Sequence, residues 1–213
     1  MKCKLFISAL FVCLSVAMSS KAFGFSLVDD WSDLTNPNGS WSYNQGNTPL
    51  PFNIVGWPNH GELGVDQTAW ANGDTTGGQI PAWLKTVNDP SIDQHYSYDY
   101  EVGDVLVHTT YGSNSLELGP ANVTWKNPTA GVYDINGGLW PARDNNKRND
   151  WNLYLNDVLL ADGSLFYGES FSRFNPNFFN FQGIDIAEGS VLRLQVDQSI
   201  SSDNGVVILL GLT

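Results

Sequence analysis

Residues 122–140 read NVTWKNPTAGVYDINGGLW. Val123 and Trp125 alternate with polar neighbours, the period-two pattern of a strand with one buried face. Asn127-Pro128 interrupts that pattern, because proline donates no ladder hydrogen bond and restrains the residue before it. Gly131 lets the chain turn. Alternation resumes at Tyr133 and Ile135, up to the Gly137-Gly138 pair. The stretch therefore reads as two strands and the corner between them, with Trp125, Tyr133 and Ile135 packed inward. It is the frame of a sandwich, not the rim of an active site.

The flanking sequence extends the pattern. DVLVHTTY (104–111) reads as a buried strand. DWNLYLN (150–156) sets Trp151, Leu153 and Leu155 on one side and Asn152, Tyr154 and Asn156 on the other. Asn156-Asp157 makes a tight hairpin turn into Val158, Leu159 and Leu160. Residues 178–186 form a further strand, ended by Ala187-Glu188-Gly189. In 191–197, Leu192, Leu194 and Val196 point inward. The run 206–212 is apolar on both faces and belongs in the middle of a sheet. Earlier in the chain, Asn36-Pro37-Asn38-Gly39 signals a turn ahead of a strand at 41–43. Further strand candidates are 50–57, 79–87 and 96–102, and 56–78 is loop-rich. Helical periodicity is nearly absent. The expectation is an all-β fold: a single-domain, antiparallel, jelly-roll-like β-sandwich over residues 25–213, loop-rich in 25–100 and regular in 101–213.

Residues 1–24 read as a cleaved Sec signal. Lys2 and Lys4 precede an apolar run over 5–18, and the small residues Ser20 and Ala22 fit a signal-peptidase site. That run is shorter than the roughly 20 residues a membrane span needs, so no membrane insertion is expected. The protein is expected to be exported, to the periplasm, the cell surface or the medium. Cys3 and Cys13 would leave with the signal, so no disulfide or thiolate metal site is expected in the mature domain. With Lys2, Lys4 and Lys21 gone, seven of the ten basic residues face 22 acidic ones. Such a surface repels phosphate backbones and anionic lipid, which argues against nucleic-acid partners.

Four phrases carry a resemblance: NPNGSWSY (36–43), GDVLVHT (103–109), the stretch 122–140, and WNLYLNDVLL (151–160). In this order they resemble a group of exported bacterial β-sandwich proteins, many of which bear a PEP-CTERM sorting tail. The Pro-Glu-Pro motif of that tail does not occur in these 213 residues. The second half is also similar to the jelly-roll plan of C1q/TNF-like and carbohydrate-binding modules. In that plan a Pro-x-x-Gly-x-Tyr corner precedes a strand and an Asn-Gly-like hairpin follows, here Asn156-Asp157. The resemblance implies a fold and an exported location. It implies no mechanism, because function resides in sites and not in folds.

Motifs for catalysis are weak. Gly168 to Ser172 (GESFS) comes nearest to a nucleophile elbow and fails at its last place. His60, His95 and His108 are isolated, and His108 falls in a strand read as buried. Five glutamates, Glu62, Glu101, Glu117, Glu169 and Glu188, offer no defensible glycosidase pair. Oxygen-rich loops suit calcium, so a structural calcium ion is a candidate at Asp144 and Asp150 or at Asp197 and Asp203. No other cofactor is expected. The loop PARDNNKRND (141–150) concentrates Arg143, Lys147 and Arg148 beside Trp140. Guanidinium forks match carboxylates and planar polar groups, and an indole offers a stacking face. Trp57 and Trp70 lie in polar, loop-rich sequence where packing is less obliged. Trp57, Trp70, Trp140, Arg143, Lys147 and Arg148 are therefore the candidate ligand-binding residues. The expected role is that of a non-catalytic binding or structural protein recognising extracellular polysaccharide, matrix or a surface protein. The alternatives are a secreted glycan-active hydrolase and a self-associating, homo-oligomeric surface subunit.

Overall fold

The computed structural model describes residues 24–57, 67–73, 80–87, 99–109, 118–142, 148–166, 171–198 and 206–210. Among the described residues all regular structure is strand. In chain order the strands are β1 (Trp41–Gln45), β2 (Thr48–Pro49), β3 (Phe52–Trp57), β4 (Gln67–Ala71), β5 (Ala82–Lys85), β6 (Val105–His108), β7 (Ala121–Lys126), β8 (Gly131–Pro141), β9 (Arg148–Leu155), β10 (Val158–Phe166), β11 (Asn177–Ile186), β12 (Val191–Gln198) and β13 (Val206–Leu210). They form two antiparallel sheets. One has the order β10-β9-β12-β7-β1-β2, the other β11-β8-β13-β6-β5-β4-β3. From β7 onward the chain changes sheet at almost every connection; the β9–β10 hairpin alone stays within one. The all-β sandwich is thus as expected. The corner at Asn127–Ala130 carries the chain from one sheet to the other, and the last strand lies mid-sheet, between β6 and β8.

Alternation decides which side chains meet between the sheets. The six-stranded sheet contributes Trp41 and Tyr43, Val123 and Trp125, Trp151 and Leu153, and Leu192, Leu194 and Val196. The seven-stranded sheet answers with Trp70, Trp83, Val105, Val107, Ile135, Leu139 and Phe179. Tyr43 is fully buried, and its hydroxyl has no hydrogen-bond partner among the described residues. Burial, and then the charges of Asp30 and Asp33, push this phenol far above its ordinary range.

The seven-stranded sheet also buries part of its other face, over β3–β6 and the end of β8. Ile54, Ala69, Ala71, Ala82, Leu84, Leu106 and Trp140 form a second apolar cluster with Tyr100 and Ala142. This explains why its strands read as continuous apolar runs. The small alanines let residues 99–100 lie close over the sheet. There Asp99 donates its amide to Ala142 O at 2.8 Å and accepts from Trp140 Nε1 at 2.6 Å. Arg173 clamps the same segment. Its Nε reaches Asp104 Oδ2 at 2.9 Å, its Nη2 reaches Glu101 Oε2 at 3.2 Å, and its amide donates to Asp99 Oδ2 at 2.7 Å.

Three details differ from the sequence reading. Residues 99–102 are not strand: they form no continuous ladder, and the Glu101 amide goes to a side chain, Asp104 Oδ2, at 2.8 Å. Part of the loop-rich 56–78 is strand β4, which lies between β5 and the edge strand β3 of the seven-stranded sheet. Finally, β8 runs through Gly137-Gly138 instead of stopping there. A Cβ at Gly138 would lie 3.0 Å from the Pro176 side chain, so this glycine serves close packing and not a turn.

Candidate functional site

The outer face of the six-stranded sheet is polar. The alternation that sends Trp41, Tyr43, Val123, Trp125, Leu192 and Leu194 inward leaves their neighbours outside. Register then aligns those neighbours into rows that cross the strands. One row runs Tyr154, Arg193, Thr124, Ser42. The next runs Asp162, Asn152, Gln195, Asn122, Asn44 and ends beside Pro49 of the edge strand.

A groove of about 470 Å³ lies diagonally over these rows. It starts at the β1–β2 turn (Gly46, Asn47) and Pro49 of β2 and ends at the β9–β10 turn (Asn156, Asp157), with Arg193 and Val191 beside the latter. Asn44 and Asn122 are buried and form its floor. Asn44 Nδ2 donates to Asn122 Oδ1 and to Thr124 Oγ1, each at 3.2 Å, and Asn122 Nδ2 donates to Gly46 O at 2.7 Å. The floor is thereby fixed before any ligand arrives. Gly46 permits the tight approach of the β1–β2 turn to residues 118–119. Its φ is +55°, and a Cβ there would meet Leu118 O at 2.0 Å.

Arg193 is the cation of the groove. Its Nη2 contacts Asp157 Oδ1 at 3.0 Å, and its guanidinium lies 4.7 Å from the centroid of the Tyr154 ring. Asp157 can hold that position because the two-residue hairpin turn places both Asn156 (φ 49°) and Asp157 (φ 66°) in the left-handed region. Asn156 Oδ1 accepts from Val191 N at 2.9 Å and its Nδ2 donates to Ser190 Oγ at 3.1 Å, tying the hairpin to β12. Hydroxyls, amides and one internally neutralised ion pair therefore line a trough on rigid strands. Such a surface can hydrogen-bond a polyhydroxylated molecule.

The residues singled out from sequence lie elsewhere. Trp70 and Trp140 are buried at 5% and 0% exposure, so neither presents the free ring face expected of it. They sit on opposite faces of the seven-stranded sheet, Trp70 in the inter-sheet core and Trp140 in the outer cluster. The Trp70 indole donates to Ser32 O at 2.8 Å. Polar neighbours in sequence misled here, because partner strands and not sequence neighbours supply a strand's packing. Trp57 closes β3. Arg148 opens β9 and is exposed, but it pairs with Asp150 Oδ1 at 3.3 Å and donates to Ser164 Oγ at 2.8 Å. Arg143, Lys147, Asp144 and Asp203 lie outside the described residues, as does the expected signal segment up to residue 23. Of the calcium candidates, Asp150 and Asp197 become direct cross-strand partners on the outer face. Among the described residues no three metal-ligating side chains gather into a metal site. His108 is buried as expected, with Nδ1 3.1 Å from Thr109 O.

Sequence reasoning missed the groove residues Ser42, Thr124 and Arg193. The available signal was their polarity at alternate positions of amphipathic strands. Register, which brings them side by side, was not in the sequence.

No protein-family model matches this chain, and no curated protein is significantly similar to it. Solved structures with a partly similar course include the CBM36-1 domain of a multidomain xylanase from the hindgut metagenome of Trinervitermes trinervoides, at 13% identity and TM-score 0.31. That match covers 57% of this chain and 86% of the other. CBM35 from Paenibacillus barcinonensis has 13% identity and TM-score 0.28, over 57% and 84% of the two chains. A β-glucosidase from Paenibacillus barengoltzii has 16% identity and TM-score 0.26, over 51% of this chain and 10% of that one. At such scores these likenesses carry no argument about ligand or activity. Among the described residues no helix is long and apolar enough to cross a membrane.

Proposed function

We propose that this protein is an exported, non-catalytic polysaccharide-binding protein whose binding surface is the groove on the six-stranded sheet. One observation carries the reading. The outer face of that sheet gathers hydroxyl, amide and guanidinium groups into one continuous groove, whereas the outer face of the other sheet carries an apolar cluster over β3–β6 and the end of β8. A sugar presents a ring of hydroxyls, each both donor and acceptor. The planar and hydroxylic side chains of the groove match that pattern, and Pro49 and Val191 add apolar surface. The buried, mutually bonded Asn44 and Asn122 keep the surface preorganised, which lowers the ordering cost of binding.

Affinity electrophoresis through gels containing soluble neutral polysaccharides tests this. The wild-type protein should be retarded by at least one of them, and Arg193→Ala should lose at least about tenfold in affinity, on the order of 1.4 kcal/mol. Equal migration in all gels and in their absence would sink the proposal.

A further inference from the structure

Resting on that reading, we infer that the groove takes an internal stretch of a neutral, extended polysaccharide chain, running across the strands, and neither a chain end nor a single sugar. Direction comes from topology. The groove is lined successively by β2, β1, β7, β12 and the β9–β10 turn, which are neighbours in the sheet in that order. Adjacent strands lie about 4.8 Å apart, so four steps span roughly 19 Å. The repeat of an extended β-linked pyranose chain is of the same order as one strand spacing, so the diagonal course, longer than that width, takes at least about four sugars. The groove reaches the edge strand β2 at one end and an exposed hairpin turn at the other.

Charge gives the ligand class. Among the described residues, Arg193 and Asp157 are the charged side chains of the lining, and they contact each other at 3.0 Å. The groove is thus close to neutral inside a protein of formal net charge −12. An anionic glycan would have to displace the Asp157 carboxylate from Arg193 Nη2. It would also feel the repulsion of the whole molecule and of the Asp162 and Asp197 carboxylates on the same face. A neutral chain meets neither obstacle.

The test is calorimetric titration of the full chain with cello-, xylo-, manno- and laminari-oligosaccharides of one to six units, and with oligogalacturonates of the same lengths. Binding to at least one neutral series should tighten by at least about tenfold from two units to four and level off beyond five. The oligogalacturonates should bind more weakly than that series. Thr124→Val and Asn47→Ala should each weaken the tetramer severalfold while barely changing the monosaccharide. Asn47 is an exposed turn residue, so this variant keeps the test valid if Thr124→Val folds poorly. Phe178→Ala, on the other sheet, should change nothing. Affinity independent of length overturns the chain-spanning inference while leaving sugar binding in the groove intact. Tighter binding of oligogalacturonates overturns the neutral selectivity. Silence in every series, from a protein with a normal melting transition, overturns the polysaccharide reading itself.

Discussion

Single residues carry disproportionate weight where they are buried and polar. Asn127 joins two corners. Its Nδ2 donates to Ile186 O at 3.1 Å and Ala187 O at 3.0 Å, and its Oδ1 accepts from Thr129 N at 3.2 Å. Its main chain adds bonds to Ser190 and Gly189 at 2.8 Å each. Asn127→Ala should therefore cost about 2–3 kcal/mol, because carbonyls and an amide lose buried partners. Asn127→Asp should cost more, since it turns an acceptor against two carbonyls; urea midpoints of the two variants decide. Tyr43 behaves oppositely. Its hydroxyl is buried without a partner among the described residues, so Tyr43→Phe should change stability by less than about 1 kcal/mol near neutral pH. Its folded pKa is raised by burial and by Asp30 and Asp33 above the ordinary 10.0. The stabilisation is complete below pH 10. It declines as pH rises further, by up to about 1.4 kcal/mol per pH unit, because only the unfolded phenol ionises there. Wild type should lose stability above pH 10 more steeply than Tyr43→Phe, measured by denaturant titration from pH 8 to 11.

At the scale of the element, the β9–β10 hairpin links folding to the groove. Its turn places two non-glycine residues at positive φ, a conformation that asparagine and aspartate tolerate and branched side chains resist. Asp157→Gly should gain about 0.5 kcal/mol and Asp157→Val should lose about 1–2 kcal/mol, read from thermal midpoints. The ion pair with Arg193 enters this balance only slightly, because the Asp157 side chain is 87% exposed. The hairpin was legible from Asn156-Asp157 alone, as was the inward set Trp151, Leu153 and Leu155. The length of β10 was not. Its continuation to Phe166 follows the antiparallel ladder with β9, through a bulge between Leu159 and Ala161. Likewise Gly137-Gly138 looked like a stop because glycine pairs usually are. Pro176 and Phe178 from β11 make it a packing position instead.

For the whole molecule, the two outer faces divide the labour. One carries an apolar cluster over β3–β6 and the end of β8, and the other carries the polar rows. Neutral-chain binding in a groove whose charges cancel should be nearly independent of ionic strength. Raising salt from about 0.05 M to about 0.5 M shortens the screening length severalfold and should change the dissociation constant by less than about twofold. A larger change in either direction would show that free charge contributes to recognition. The formal charge of −12 then acts as a solubility and repulsion term.

Alternation with a period of two determined, from sequence alone, the all-β class, most strands after residue 100 and their inward residues. That pattern is local: each strand carries its own record of which side chains avoid water. Where both faces are buried the record fails. β4 and β5 show mixed small and large apolar residues without alternation, so Trp70 passed for a surface residue although it packs between the sheets. The groove was out of reach for a related reason. Ser42, Thr124 and Arg193 are separated by dozens of residues, and only strand pairing makes them neighbours. Burial is written along the chain one strand at a time. Register and sheet order are properties of pairs of distant strands, and they alone decided that the polar residues meet in one groove.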